Sequence, residues 1–216
     1  MKKAIVIGGT GMVGTQLIKL LIDNDEFSEV LSLVRRPSSI IHPKLNEQII
    51  DFDKSESWKE LVKGDVLFST LGTTIAQAKT KENQYRIDFT YQFTVAEIAS
   101  KNGVSNYILI SSAGADSRSK IFYSNMKGKL DDAVQLLPFQ VINILRPVQL
   151  TGERTEKRMG EKIGISVMTV LNKLGILKKY RPIHAAQVAR AMIHAFNKPK
   201  SGIYTLQEVH ELADRN

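Results

Sequence analysis

Tyr123 and Lys127 stand four residues apart in the stretch IFYSNMKGKLDDAVQLL, which runs from residue 121 to residue 137. On a helix this spacing puts both side chains on one face. A free tyrosine phenol has a pKa of about 10, and a nearby positive charge lowers it, so such a pair can exchange protons near neutral pH. An ordinary amphipathic helix has the same spacing, and the rest of the chain has to decide between the two interpretations.

A second candidate site lies near the amino terminus, in the sequence AIVIGGTGMVGTQLIKLLI. It predicts a strand, a glycine turn and a helix, with Gly8, Gly11 and Gly14 in the spacing G-x-x-G-x-x-G. The first glycine permits a tight turn, the second lets the backbone approach a pyrophosphate, and the third lets the helix pack close to the strand. The helix N-terminus offers free N–H groups to the anion. The predicted contacts with a dinucleotide come from Gly8, Thr10, Gly11, Met12, Val13 and Gly14.

The residues after the second predicted strand indicate which dinucleotide is bound. NAD enzymes usually place an acidic residue about 20 residues beyond the glycines to bind the ribose 2′-hydroxyl. Here the strand ends LSLVRRP, so Arg35 and Arg36 stand where the acid would be. A guanidinium pairs with a 2′-phosphate, which favours NADP(H) over NAD(H). Asp51 and Phe52 are predicted to close the third strand and to flank the adenine.

The pattern of the whole chain predicts an α/β fold, a Rossmann-like, doubly wound parallel sheet. Apolar runs without alternation predict strands covered on both faces, and helical patterns lie between them. The predicted strands are residues 4–8, 29–35, 48–52, 65–72, 106–112 and 140–147. The predicted helices between them are residues 13–23, 55–62, 81–101 and 119–137.

The last third predicts a small substrate-covering subdomain integrated with the core. It contains a basic region at 151–182, a partly apolar helix at 165–177, an amphipathic helix at 184–198 and a late strand at 202–206. We therefore expect one NAD(P)-binding domain over residues 1–216, with the cofactor-binding core in 1–150 and the substrate side in 151–216.

Composition narrows the classes of protein that remain. The 216 residues include no cysteine, which excludes disulfides and thiolate chemistry, and the four histidines show no metal-ligand spacing, so we expect no metal. The apolar run after Lys2 and Lys3 is too short for a signal peptide, and no run is long enough to span a membrane, so we expect a cytoplasmic protein.

The net charge is +8, of which residues 152–181 supply +5 (eight Lys or Arg and three Glu). Without interleaved aromatic residues this charge does not indicate a nucleic-acid binder, and it favours an anionic substrate only if the segment covers the crevice.

Several segments together resemble the short-chain dehydrogenase/reductase (SDR) superfamily, in its extended or atypical form. They are the three glycines, Ser111-Ser112 after the fifth predicted strand, Tyr123-x-x-x-Lys127, ILRPVQLTGER at 144–154 and RPIHAAQVARAM at 181–192. FSTLGTT at 68–74 and SSAGAD at 111–116 are most similar to the Tat-interacting-protein-like oxidoreductases of the atypical branch. The resemblance covers nearly the whole chain.

The resemblance implies a catalytic set. Tyr123 would be the general acid or base for a substrate oxygen, and Lys127 would stabilise the phenolate and bind the nicotinamide ribose. Ser112 or Ser111 would hydrogen-bond the substrate oxygen, and we favour Ser112 because it lies nearer the end of the strand.

The resemblance also implies further cofactor contacts. Pro147 and Val148 would place backbone groups by the carboxamide, and Thr70, Leu71 and Gly72 would lie along the cofactor. Two features depart from the family pattern: only 11 residues separate the favoured serine from the tyrosine, and Asp88 stands where extended members often have asparagine.

The sequence therefore predicts an NADP(H)-dependent oxidoreductase that acts on a small-molecule carbonyl or alcohol, as a monomer or homodimer. Two alternatives remain open. One is an epimerase or dehydratase of nucleotide sugars, and the other is an NADPH-binding regulator with weak or no catalysis.

Overall fold

The computed structural model describes residues 1–152 and 181–214. The helix predicted at 165–177 lies outside the described residues. The strands are β1 (Lys2–Ile7), β2 (Phe27–Val34), β3 (Leu45–Ile49), β4 (Val66–Ser69), β5 (Asn106–Ile110), β6 (Val141–Arg146), β7 (Leu150–Thr151), β8 (Ile183–His184) and β9 (Gly202–Thr205). The helices are α1 (Met12–Ile22), α2 (Ile75–Ala78), α3 (Lys81–Tyr85), α4 (Gln92–Lys101), α5 (Phe122–Val134), α6 (Ala185–Phe196) and α7 (Leu206–Ala213).

Within the described ranges, seven strands form one sheet in the order β3-β2-β1-β4-β5-β6-β9, and every pair is parallel. The chain moves outward from β1 to β3, returns to pair β4 with β1, and continues in the other direction. The strand order reverses between β1 and β4, and a ligand crevice is expected beyond the carboxyl ends of strands at such a point. The predicted fold class, a Rossmann-like α/β protein with a parallel sheet, is confirmed.

Alternate residues of β1 enter two separate hydrophobic cores, one on each face of the sheet. Ala4 and Val6 pack into a cluster with α1, α6 and α7, and Ile5 and Ile7 pack into a cluster with α4 and α5. All four side chains are fully buried. This explains why the strand is continuously apolar, because a strand covered on both faces has no solvent side.

The segment at 55–62, predicted as a helix, is instead two short 3₁₀ turns, Ser55–Ser57 and Lys59–Leu61. The indole of Trp58 is buried, and its Nε1 donates a hydrogen bond to the backbone oxygen of Asp51 at 2.8 Å. This inward turn around one ring interrupts the regular helix that the sequence pattern predicted.

The helix predicted at 81–101 is continuous but not uniform. A π-helical segment, Arg86–Tyr91, joins α3 to α4. Within it, the backbone oxygen of Asp88 accepts a hydrogen bond from the Gln92 side chain at 2.7 Å. Such wide turns are often found at functional sites, and this one places Asp88 beneath the loop that follows β4.

The region after residue 181 contributes to the main sheet and its core. Strand β9 pairs with β6 as the outermost strand, and α6 packs against α1. The small parallel pair of β7 and β8 lies beside the start of α1, where Gly152 approaches the Met12 sulfur. The sequence predicted α6 and β9 but not α7.

Candidate functional site

The glycine turn has the shape that a dinucleotide requires. Gly8 has φ +80°, a left-handed conformation that favours glycine, and its oxygen accepts a hydrogen bond from Gly11 N at 2.9 Å. A Cβ on Gly8 would lie 2.5 Å from the backbone nitrogen of Leu71, and a Cβ on Gly14 would overlap the Gly8 oxygen. The turn is therefore packed too closely against α1 and the end of β4 for side chains at these two positions.

The amino terminus of α1 supplies donors at this turn. Gly11 is its N-cap and is exposed, and the first internal acceptor is the Gly11 oxygen, which receives Thr15 N at 2.9 Å. The N–H groups of Met12, Val13 and Gly14 have no earlier turn to bond to, as at any helix start. Together with the positive end of the helix dipole, these donors fit the pyrophosphate of NAD(P). Thr10 is exposed at the same turn.

Arg35 and Arg36 follow β2 directly and are exposed, next to the crevice strand β1. Among the described residues, neither has a carboxylate within 4 Å. Their guanidinium groups are therefore available to an anion at the carboxyl end of the sheet.

The predicted placement of Asp51 and Phe52 needs correction. Strand β3 ends at Ile49, so neither residue closes it. The Phe52 ring is buried, with its centroid 5.2 Å from that of Tyr91, so the side chain packs in an aromatic part of the core. Asp51 is exposed and has Lys54 Nζ 3.6 Å from its carboxylate.

The loop after β4 forms the other side of the turn. The Thr70 hydroxyl donates to the Ile7 oxygen at 2.8 Å and so ties the end of β4 to the end of β1. Leu71 is in backbone contact with the glycine turn, and Gly72 is exposed beside Asp88. Thr70, Leu71 and Gly72 thus lie just beyond the carboxyl end of β4, beside the glycine turn.

Pro147 and Val148 follow β6 at the same edge of the sheet. Pro147 is buried, and its oxygen accepts a hydrogen bond from Ala113 N at 3.0 Å, which joins this segment to the loop after β5. Val148 is half-buried.

Tyr123 and Lys127 lie in the first two turns of α5 and differ in exposure. Tyr123 is 40% exposed and lines a cavity of about 420 Å³, whereas Lys127 is buried. Of the two serines, Ser111 is buried and Ser112 is half-buried beyond the end of β5. Ser112 is thus the more accessible of the two serines.

The short spacing between Ser112 and Tyr123 follows from how the intervening loop is packed. The backbone of Asp116 donates to the Ser124 oxygen at 3.0 Å, so the loop lies along the start of α5. A Cβ on Gly128 would overlap the backbone of Asp116 and Ser117, so this contact requires glycine in the helix.

The buried Lys127 belongs to a cluster of four charged side chains, with Asp88, Asp131 and Arg146. Asp131, one turn further along α5, is fully buried and accepts a hydrogen bond from Arg146 Nε at 2.8 Å. Burial raises the pKa of Asp131, an effect opposed by the Ser111 hydroxyl, Arg146 and Lys127. Burial also raises the pKa of Asp88, which Lys127 and the Thr73 backbone N–H oppose. The charge of Lys127 therefore acts on both buried carboxyl groups.

The sequence prediction did not include Asp131 or Arg146 in the site. The signal was present, because Asp131 stands eight residues after Tyr123 and four after Lys127, on the same helical face. Within the described residues, no group of three or more acidic or histidine side chains could hold a metal ion. Across the same residues, no helix combines the length and apolar character needed to cross a membrane.

A family model described as NAD(P)H-binding matches residues 8–199. The chain belongs to this NAD(P)H-binding family. The coarse cofactor prediction is thereby confirmed, and the glycine turn that fits a pyrophosphate lies at the start of the match.

Curated relatives of this NAD(P)H-binding chain are fungal proteins. It is 31% identical to protein FMP52-1, mitochondrial, of Scheffersomyces stipitis, over 98% of this chain and 97% of the relative. It is 33% identical to protein FMP52, mitochondrial, of Eremothecium gossypii, over 97% and 96%. The prediction of a cytoplasmic protein is wrong, because these relatives, which match almost the whole chain, are named as mitochondrial proteins.

Solved structures of similar fold include an enzyme in complex with NAD⁺ and a nucleotide-sugar epimerase. WbmH of Bordetella bronchiseptica, in complex with NAD⁺, has a TM-score of 0.73 at 15% identity, over 95% of this chain and 75% of that one. The ADP-L-glycero-D-manno-heptose-6-epimerase of Helicobacter pylori has a TM-score of 0.71 at 19% identity, over 95% and 76%. At these identities the likeness shows the fold alone, and it confirms the Rossmann-like architecture of the NAD(P)H-binding family member.

Proposed function

We propose that this protein is an NADP(H)-dependent oxidoreductase of the SDR type that interconverts a small-molecule carbonyl compound and its alcohol. The observation that carries the proposal is the position of Tyr123. It lines a cavity and lies one helical turn from the buried Lys127, on the helix that follows β5, a neighbour of the crevice strand β4. The FSTLGTT and SSAGAD segments, which resemble those of the Tat-interacting-protein-like oxidoreductases, support this proposal.

The protein's own groups have distinct roles in this proposal. In reduction, the Tyr123 phenol donates a proton to the carbonyl oxygen, and in oxidation the phenolate accepts it. The Lys127 ammonium stabilises the phenolate because it is buried, where a charge interacts more strongly than in water. The Ser112 hydroxyl donates a hydrogen bond to the same substrate oxygen and polarises it. When bound, the nicotinamide supplies or accepts the hydride.

The preference for NADP(H) rests on Arg35 and Arg36. Both are exposed at the end of β2, where NAD enzymes place the acid that binds the ribose 2′-hydroxyl. Guanidinium groups suit a 2′-phosphate because they form charge-assisted hydrogen bonds with its oxygens.

Tyr123→Phe tests the proposed reaction. It removes the proton donor and keeps the ring, so we expect NADPH to bind with unchanged affinity while turnover of a carbonyl substrate falls by about 10²- to 10⁴-fold. Tyr85→Phe provides a control, because it removes the same phenol oxygen from a tyrosine of α3 that does not line the cavity and should keep activity. Turnover that survives Tyr123→Phe would overturn the role of this residue.

A second candidate is an epimerase of nucleotide sugars, because two of the structurally similar proteins are named as such epimerases. Such an enzyme would convert one sugar isomer into another with no net consumption of cofactor. Incubation with UDP-glucose and catalytic NAD⁺, followed by NMR of the sugar, tests this directly. Appearance of a second isomer would favour the epimerase over the carbonyl reductase.

A further inference from the structure

The cavity at Tyr123 contains further chemistry that the proposed reaction does not use. Its volume is about 420 Å³, towards the lower end of the range usual for small-molecule sites. It is formed where the loop after β4 and the start of α3 face the start of α5. A ligand in it would lie against the Tyr123 ring.

Most of the cavity wall is apolar. Ile75 is 49% exposed and Ile121 is 68% exposed, and the Phe122 ring lies beside them. Large apolar side chains grouped around a concavity indicate a binding surface. Covering them with an apolar ligand is favourable at about 25 cal/mol per Å² of apolar surface removed from water.

Lys81 is the one charged side chain that lines the cavity within the described residues. Its Nζ lies 5.6 Å from the centroid of the Phe122 ring, a cation–π contact that holds the ammonium at the wall. The carboxyl of the neighbouring Glu82 has other partners. Hydrogen bonds from its own backbone N–H and from the Thr80 hydroxyl lower its pKa, and the charge of Lys81 lowers it by less. The ammonium is thus available to an anionic group of a ligand.

The remaining polar groups of the wall are few and partly occupied. Gln84 donates to the Thr73 oxygen at 3.4 Å, and Thr73 N donates to Asp88 at 2.6 Å. The Thr74 hydroxyl oxygen is buried and has no hydrogen-bond partner among the described residues. A ligand with many hydroxyl groups would leave several unpaired here, and each unpaired buried group is costly.

We propose that the substrate is an apolar aldehyde or ketone that carries one anionic group, with its carbonyl at Tyr123 and its anion at Lys81. This inference rests on the proposed oxidoreductase function and adds the substrate class. The apolar body of the compound packs on Ile75, Ile121 and Phe122.

A matched pair of probes tests the substrate class: 4-formylbenzoate and its uncharged methyl ester, each reduced by the full chain with NADPH. We expect kcat/KM for the acid to exceed that for the ester by about tenfold or more, since a charge-assisted hydrogen bond is worth roughly that factor. Lys81→Gln should remove this preference through a higher KM for the acid and leave the ester unchanged. Lys129→Gln is the control, because it deletes the same charge from an exposed position of α5 that does not line the cavity.

Binding of an unreactive acid separates the two levels of the proposal. We expect 4-methylbenzoate to bind the NADP⁺ complex, by ligand-observed NMR, and to lose binding in Lys81→Gln but not in Lys129→Gln. Binding with this dependence but no turnover of either aldehyde would support the substrate class and overturn the proposed reaction. Equal turnover of acid and ester, or identical behaviour of the two lysine variants, would overturn the substrate class and leave the reaction standing.

Discussion

At the scale of single residues, the contrast between Tyr123 and Lys127 is the central feature. One turn of helix separates an accessible phenol from a buried ammonium, and two buried carboxylates, Asp88 and Asp131, lie close enough to feel its charge. Buried charges are stable only when they are paired and hydrogen-bonded. The two carboxyl groups therefore surround the buried Lys127 with opposite charge, one helical turn from Tyr123.

Asp131→Asn should destabilise the fold. The change leaves Arg146 without its carboxylate in a largely buried place, and breaking a buried pair in this way costs about 3 kcal/mol. Denaturant unfolding measures the free energy of unfolding of the variant. The control is Asp132→Asn at the exposed neighbouring position, which should change this free energy by less than about 0.5 kcal/mol. Equal stabilities of the two variants would show that the Asp131–Arg146 pair does not support the fold.

The difference in stability between the wild type and Asp131→Asn should depend on pH. The pKa of Asp131 is raised in the folded protein, so its carboxyl binds a proton more readily folded than unfolded. Its contribution to stability is fully present below its ordinary pKa and is lost as the pH rises through the raised value. We expect the stability advantage of the wild type over Asp131→Asn to shrink over that interval, and an advantage that grows with pH would contradict the direction of the shift.

Arg35 and Arg36 make a separate prediction about the cofactor. The double change Arg35→Ala/Arg36→Ala should weaken NADPH binding by about 10- to 100-fold and leave NADH binding unchanged, because only NADPH carries the 2′-phosphate. Lys198→Ala/Lys200→Ala removes the same total charge beyond α6 and is the control. If the affinities for NADPH and NADH fall equally, the arginines do not bind the 2′-phosphate.

At the scale of elements, α5 and the loop before it form one unit that carries the proposed catalytic residues. The loop after β5 is hydrogen-bonded to both α5 and the segment after β6, through Asp116 and Ala113. Gly128 makes the close contact possible, although glycine is a poor helix former. The position of Tyr123 relative to Ser112 thus depends on packing between elements as well as on the helix itself.

Gly128→Ala tests this packing. In an exposed helix the change would stabilise by about 1 kcal/mol, but here the new Cβ overlaps the backbone of Asp116 and Ser117. We expect a loss of about 1–3 kcal/mol in stability and a lower kcat, because the loop moves away from α5. Lys129→Ala, at the next and exposed position, should show neither effect, and a stabilised Gly128→Ala would mean that the loop is not held in this way.

At the scale of the whole molecule, the sequence predicted the parallel sheet and the glycine turn well. Continuous apolar strands and short glycine-marked connections are local signals, and β1 shows why they suffice: both of its faces are buried. The failures have physical causes outside the local pattern. Trp58 turns a predicted helix inward, Phe52 is drawn into an aromatic core, and the Asp131–Arg146 pair joins residues from separate elements.

Cofactor binding should stabilise the whole fold, because the crevice exists only when β1, β4 and α1 are assembled. At about 100 times its dissociation constant, NADPH contributes about 2.7 kcal/mol, which corresponds to a rise in Tm of about 5–10 °C for a chain of this size. A thermal melt with and without NADPH measures it. No change in Tm at saturating NADPH would contradict binding to the folded state.

The most direct test of the account is a fluorescence titration of the purified protein with NADPH and, separately, with NADH. The account predicts saturable binding of both at the glycine turn, with NADPH bound at least about tenfold more tightly because of its 2′-phosphate. If neither NADPH nor NADH binds, the proposed oxidoreductase function is contradicted.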